Sequence, residues 1–159
     1  NGIEVANLFL DKGLITYLQG QKQGRKDFPA EASKQISKLP LAIITSRGTA
    51  GAAEIAASGL AENKRAEVVG DRTYGSAGVR RTVTLDDGSA LILSVAKYYT
   101  AAAKAIQDNG VVPAHPVADI DAGGDGEDDD PATPPPATPA PSGEDAPLKK
   151  AVEILNKRG

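Results

Sequence analysis

Few residues in this chain have types and spacing suited to covalent chemistry. Ser46 and Ser76 carry hydroxyls next to glycine-containing turns, and a serine attacks a carbonyl only when a neutral amine or imidazole takes its proton. The cations nearest Ser76 in sequence, Arg72 and Arg80, are poor bases. The one histidine, His115, lies between Pro113 and Pro116 with no adjacent carboxylate to orient its ring, which reads as an exposed, inert side chain. Arg80 and Arg81 have the chemistry to clamp a carboxylate. Neighbours on a strand point to opposite faces, however, so at most one reaches a cleft, and plain surface charge is the simpler reading.

Other patterns are weaker. Gly48-Thr49-Ala50-Gly51 after an apolar run has the outline of a phosphate loop but lacks its Gly-Lys-Ser/Thr end. Asp119, Asp121, Asp125, Glu127 and Asp130 have partial calcium-loop spacing, but Gly123 takes the place of the middle acidic ligand, so a solvated acidic linker is expected and no metal. No cofactor is implied. The chain has no cysteine, which excludes thiol catalysis and zinc–thiolate sites.

The elements that must position these groups follow from periodicity. Ile3, Ala6 and Leu10, with Val5 and Phe9, predict a short helix stopped at Gly13, and Leu14–Leu18 predicts a strand ending at Gly20. A polar excursion to Lys38 reads as loop or short helix. Leu41–Thr45 is a continuous apolar run of the kind buried on both faces, the best candidate for a central strand. Ser46–Thr49 turns into an Ala-rich helix from Ala50 to Asn63, with Thr49 as a cap and Thr45 or Ser46 also read as capping hydroxyls.

Ala66–Gly70 predicts a further buried strand and Asp71–Gly78 a loop. Val79–Leu85 and Ser89–Ala96 form a hairpin about Asp86-Asp87-Gly88. From 118 to 147 the composition collapses to Asp, Glu, Gly, Pro, Ala and Thr, predicting a disordered acidic linker. Leu148, Ala151, Val152 and Leu155 then space a terminal helix over 148–159, to dock back or to bind a partner.

Charge agrees with this partition. Residues 1–118 hold 14 Lys+Arg against 11 Asp+Glu, residues 119–147 none against 9, and residues 148–159 hold 4 against 1. A mildly basic body without a basic stripe argues against a nucleic-acid partner. No apolar run approaches the ~20 residues of a membrane-spanning helix. The opening Asn1-Gly2, running straight into an apolar-periodic segment, reads as a fragment boundary.

Taken in order, Glu4–Gly13, Arg47-Gly48-Thr49-Ala50, Ala52-Ala53-Glu54, Lys64–Gly70, Asp86–Leu91, Val95–Thr100 and Gly110-Val111-Val112-Pro113 resemble the landmarks of the tail-specific (C-terminal processing) serine peptidases, over residues 3 to about 117. The resemblance implies an α/β, crotonase-like peptidase core (mixed sheet with flanking helices) over residues 1–117, and an extracytoplasmic, periplasmic or envelope setting. It also implies that a PDZ domain, the second oxyanion donor and the first strands of the fold lie upstream of Asn1, or on another protein chain.

In the family, Gly-Thr-Ala-Ser-Ala-Ser-Glu carries the nucleophile in its first serine, and Phe-Gly-Lys-Gly-x-Val-Gln carries the base in its lysine. Here these stretches read Gly48–Glu54 and Tyr74–Arg80, so the nucleophile position is Gly51, the base position Ser76 and the glutamine position Arg80. The resemblance further implies that the amide of Ala52 would serve as oxyanion donor, with Thr49, Ala50 and Arg80 as peptide-binding candidates. The family's Thr-Pro-Ser-Gly is replaced by Thr100-Ala101-Ala102-Ala103. Gly51 is a scar of lost catalysis, or merely a helix-entry glycine.

The expectation is a non-catalytic relative that binds a peptide or an unstructured protein C-terminus, or serves as a scaffold. The alternatives are an active serine endopeptidase with a displaced nucleophile and base, and an inert assembly subunit.

Overall fold

A computed structural model describes residues 1–117 and 145–157. The chain begins with helix α1 (Gly2–Asn7), followed by strands β1 (Leu14–Gly20) and β2 (Lys26–Pro29), a 3-10 turn (Ala32–Lys34) and β3 (Ala42–Thr45). Helix α2 (Ala52–Glu62) leads to β4 (Glu67–Gly70), the hairpin β5 (Gly78–Thr84) and β6 (Ala90–Tyr99), the short β7 (His115–Pro116) and helix α3 (Ala146–Asn156).

The strands form two sheets. One is antiparallel in the order β2-β1-β6-β5, and the other is parallel in the order β3-β4-β7. The single crotonase-like mixed sheet expected from the resemblance does not form. A strand has only two edges, and β6 uses both, on β1 and β5, while β1 uses both, on β2 and β6. No edge of either inner strand is left for the parallel set.

Helix α2 makes the crossover from β3 to β4 and seats its apolar face on β1. Leu60 packs with Ala6, Leu10, Ile15 and Ala66 in the main core. The contact is close enough to require Gly59, where a β-carbon would stand 2.7 Å from Ile15 Cγ2. A second cluster of Ile55, Ala77, Ile106 and Val111 ties α2 to the loops after β4 and β6.

Two sequence expectations change here. β3 is an edge strand among the described residues, with Ile44 45% exposed, whereas β4 is central and buries Val68 and Val69 fully. The apolar run of β3 covers one side with Leu41 and Ile43 against the main core and the other with Ala42 against α3. The polar excursion contains β2, whose pairing to β1 joins residues such as Tyr17 and Asp27. Long-range pairing, rather than local pattern, makes it a strand.

The hairpin turns where expected, with Gly88 at φ +84°. Residues 80–95 are exposed. The terminal helix docks back on its own chain, burying Ala151 and Ile154 against Val69. It starts at Ala146, two residues before the expected 148, because Asp145 accepts the Leu148 N–H at 2.8 Å and Pro147 suits a first turn. The acidic linker expected over 118–147, and with it the Asp119–Asp130 pattern, otherwise lies outside the described residues.

Ile154→Ala should lower stability by roughly 2–4 kcal/mol in chemical denaturation, the usual cost of emptying such a site. On the outer face of α3, hydrogen bonds from Lys157 and then Lys150 hold the Glu153 carboxyl at about 2, below its ordinary 4.5. A depressed carboxyl stabilises the fold above 4.5 and loses that effect as pH falls through about 2. Both lysines are solvated, so the effect is small. Thermal melts of Glu153→Gln should lie slightly below the parent at pH 6, with the gap closing towards pH 2.

Candidate functional site

Where β3 runs out, Ser46 and Thr49 close a tight turn: Thr49 N–H donates to Ser46 O at 3.0 Å, and Ser46 N–H to Thr49 Oγ1 at 3.0 Å. Thr49 therefore closes the turn and does not cap α2. Thr45 does not cap either, since its hydroxyl donates to Asp71 O at 2.8 Å and joins the ends of β3 and β4. The cap position falls to Gly51, with φ +61° and ψ −119°, a conformation that side-chain-bearing residues rarely adopt.

The helix entry is organised by Glu54, an acidic residue with no solvent exposure. Its Oε2 accepts the N–H groups of Gly51 at 2.9 Å and Ser76 at 2.8 Å. Its Oε1 accepts the Gly75 N–H at 2.7 Å and the Thr73 hydroxyl at 2.5 Å. Four donors fill the four lone-pair sites a carboxylate offers. Thr73 Oγ1 in turn accepts the Val111 N–H at 2.7 Å.

One side chain thus holds the turn at 51, the loop at 73–76 and the segment at 111. In the sequence Glu54 stood only as a landmark. The signal that could have found it was an acidic residue three places after a helix cap, on a helix face otherwise built of Ile, Ala and Leu.

These bonds bring Gly51, Ala52 and Ser76 to one groove of about 240 Å³, walled by Ile3, Ile55, Ala77 and Tyr98. A β-carbon at Gly51 would have Ser76 O as its nearest neighbour, at 3.7 Å, so the vacant side-chain position opens into the groove beside Ser76. No hydrogen bond engages the Ala52 N–H among the described residues. It sits at the positive end of α2, where a partial negative charge is favoured.

The other candidates lie elsewhere. Thr49 and Ala50 do not line the groove. Arg80 and Arg81 are exposed on the hairpin, paired across it with Ser94 and Leu93, because β5 leaves the groove at Gly78 and a register shift follows Val79. Among the described residues no lysine or histidine lines the groove. Lys97, the ladder partner of Gly78, pairs with Asp108 at 3.0 Å. Hydrogen bonds from Gln107 and then Lys97 hold the Asp108 carboxyl below its ordinary value.

His115 was expected to be inert, yet its Nε2 lies 3.0 Å from Glu67 Oε2. The parallel β4–β7 register brings together two residues 48 apart in sequence. Among the described residues no cluster of His, Asp and Glu has the makings of a metal site.

Removing the Glu54 carboxylate strands four donors, two of which, Gly51 and Ser76, line the groove. Glu54→Ala should therefore cost about 3–5 kcal/mol in urea denaturation. Thr73→Val, which removes one donor and one acceptor, should cost about 1–3 kcal/mol. Amide exchange at Gly51, Gly75 and Ser76 should accelerate in Glu54→Ala more than exchange in β1.

The profile of "Peptidase family S41" matches residues 1–117. The carboxyl-terminal-processing peptidase 2, chloroplastic, of Arabidopsis thaliana is 42% identical over 117 residues, which is 73% of this chain and 23% of that protein. The carboxy-terminal processing protease CtpA of Bacillus subtilis is 36% identical over 115 residues, 70% of this chain and 24% of that protein. The chain thus spans about a quarter of the length of these relatives.

The solved photosystem II D1 C-terminal processing protease superposes with a TM-score of 0.66 at 32% identity, covering 74% of this chain and 30% of that one. A putative peptidase from Parabacteroides merdae shares the fold at a TM-score of 0.74 and 21% identity, over 99% of this chain and 48% of its own. The architecture is that of the S41 peptidase structures, which replaces the crotonase-like expectation. With the profile covering the whole body and the likeness running through both groove-forming loops, this chain belongs to peptidase family S41.

Proposed function

We propose that this chain is a peptide-binding member of its family that does not cleave. The observation that carries the reading is the groove itself: the side-chain position that faces Ser76 is glycine, and among the described residues no lysine or histidine side chain lines the cleft. Acyl transfer needs an attacking oxygen and a proton acceptor within hydrogen-bond reach. Binding needs neither. The unengaged Ala52 amide at the start of α2 supports capture of a peptide carbonyl or carboxylate, and the apolar walls at Ile55, Ala77 and Tyr98 support side-chain contact.

A second reading keeps an active serine endopeptidase, and it is favoured by the relatives, which are named as processing peptidases. It requires Ser76 or Ser46 as nucleophile and a base from another part of the protein or from another chain. Neither hydroxyl is hydrogen-bonded to a lysine or histidine among the described residues. The proposed setting is extracytoplasmic, as the resemblance implies, and the chloroplastic names of several relatives make an organelle the alternative to a periplasm. Among the described residues no helix is long and apolar enough to cross a membrane.

The protein should leave unstructured peptides intact and resist fluorophosphonate labelling. Labelling at Ser46 or Ser76 would instead establish the second reading. The groove has room for a side chain at 51, so Gly51→Ser combined with Ser76→Lys should gain fluorophosphonate reactivity that neither single variant has. Ser at that positive φ should lower stability by about 1–2 kcal/mol. A double variant that folds but stays unlabelled would show that the two positions no longer define a competent dyad.

A further inference from the structure

A second cavity, of about 540 Å³, lies along the C-terminal half of α2 and shares no residue with the Gly51 groove. Arg72 and Lys104 line it, with Glu62 as the one carboxylate among the lining residues. Arg72 Nε donates to Asn109 O at 2.6 Å, which fixes the guanidinium and leaves its terminal nitrogens available. Lys104 is held through its backbone, as Thr100 N–H donates to Lys104 O at 2.8 Å. Its ammonium has no ion-pair partner among the described residues. Glu62 Oε2 accepts the Ala102 N–H at 2.8 Å and so serves the turn that carries Lys104. Val111 and Val112 supply an apolar wall.

Two cations against one carboxylate leave a single positive charge, which suits a monoanion. A phosphate dianion would exceed that charge and oppose Glu62. The anchored guanidinium offers the paired donors that match a carboxylate's two oxygens. We propose that this cavity binds a carboxylate carrying a small apolar group, as found at a peptide C-terminus or in a short organic acid. The site is independent of the groove reading, although its Val111 wall hangs from Thr73 and hence from Glu54.

The test is amide-resonance titration of the full chain with N-acetyl-Ala-Ala-Val, its C-terminal amide, isovalerate and inorganic phosphate. The free acids should shift Lys104, Val111 and Val112. The amide should bind at least about tenfold more weakly, as should either acid to Arg72→Gln or Lys104→Gln. Both residues are exposed, and unchanged dispersion elsewhere would verify the fold of the variants. A peptide tighter than isovalerate assigns a peptide terminus, and equal affinity assigns a small acid.

Equal binding of acid and amide, preference for phosphate, or indifference to both variants would overturn the proposal. Resonances of Gly51, Ala52 and Ser76 report the groove separately, so peptide binding there can fail or succeed without deciding this site.

Discussion

The buried carboxylate of Glu54 is the constraint on which the rest of this structure depends. It bonds both loops of the groove, chiefly through backbone N–H groups, which exist whatever side chains the loops carry. The loops are therefore positioned by a device that is insensitive to the residues at 51 and 76. A fold built this way keeps its frame whatever side chains stand at 51 and 76, here glycine and serine. The same carboxylate reaches the Val111 segment through Thr73, so the apolar cluster of Ile55, Ala77, Ile106 and Val111 and the polar network reinforce one another.

That arrangement also explains the division of labour between the two sheets. The antiparallel sheet, with Gly59 seated on Ile15, fixes where α2 lies, and the parallel sheet delivers the chain to the start of α2 and receives it again at β4. The groove forms where the start of α1, the start of α2 and the loop before the hairpin meet. Its positioning is a consequence of packing elements against α2, with the hairpin contributing only its two roots, Gly78 on β5 and Tyr98 on β6.

Much of this was legible in the residues because it is local. Periodicity placed α2, β1, β4 and the hairpin within a few residues and found α1, which ends at Asn7 rather than near Gly13, and the Asp86-Asp87-Gly88 turn needed no partner elsewhere in the chain. What stayed hidden depends on distant pairing. β2 is a strand only because β1 lies beside it, and β3 looked central because an apolar run does not reveal that its two sides meet different neighbours, α3 being about 100 residues away. His115 looked unpartnered because its carboxylate comes from β4. At the groove, register identified Gly51 and Ser76, but Arg80 was assigned to it without knowledge that β5 turns outward after Gly78. Glu54 stands out in the sequence and its task does not, since three of its four donors lie 19 to 22 residues downstream and three of the four are backbone N–H groups.

The backbone at Gly51 carries the synthesis one step further. A φ of +61° is unfavourable for any residue with a β-carbon, and such strain persists only where the surroundings over-determine it. Here the surroundings do so, through the Glu54 bond to the Gly51 amide and the helix that follows. With glycine in that place the conformation is adopted at little conformational cost, whereas any side chain there would strain the frame. On the proposed reading, glycine at 51 stabilises the turn at the expense of an attacking oxygen, so stability and attack pull in opposite directions at this one position. The Glu54 network with glycine at 51 leaves an oriented helix start and an open cleft, which meet the requirements of the proposed binding role.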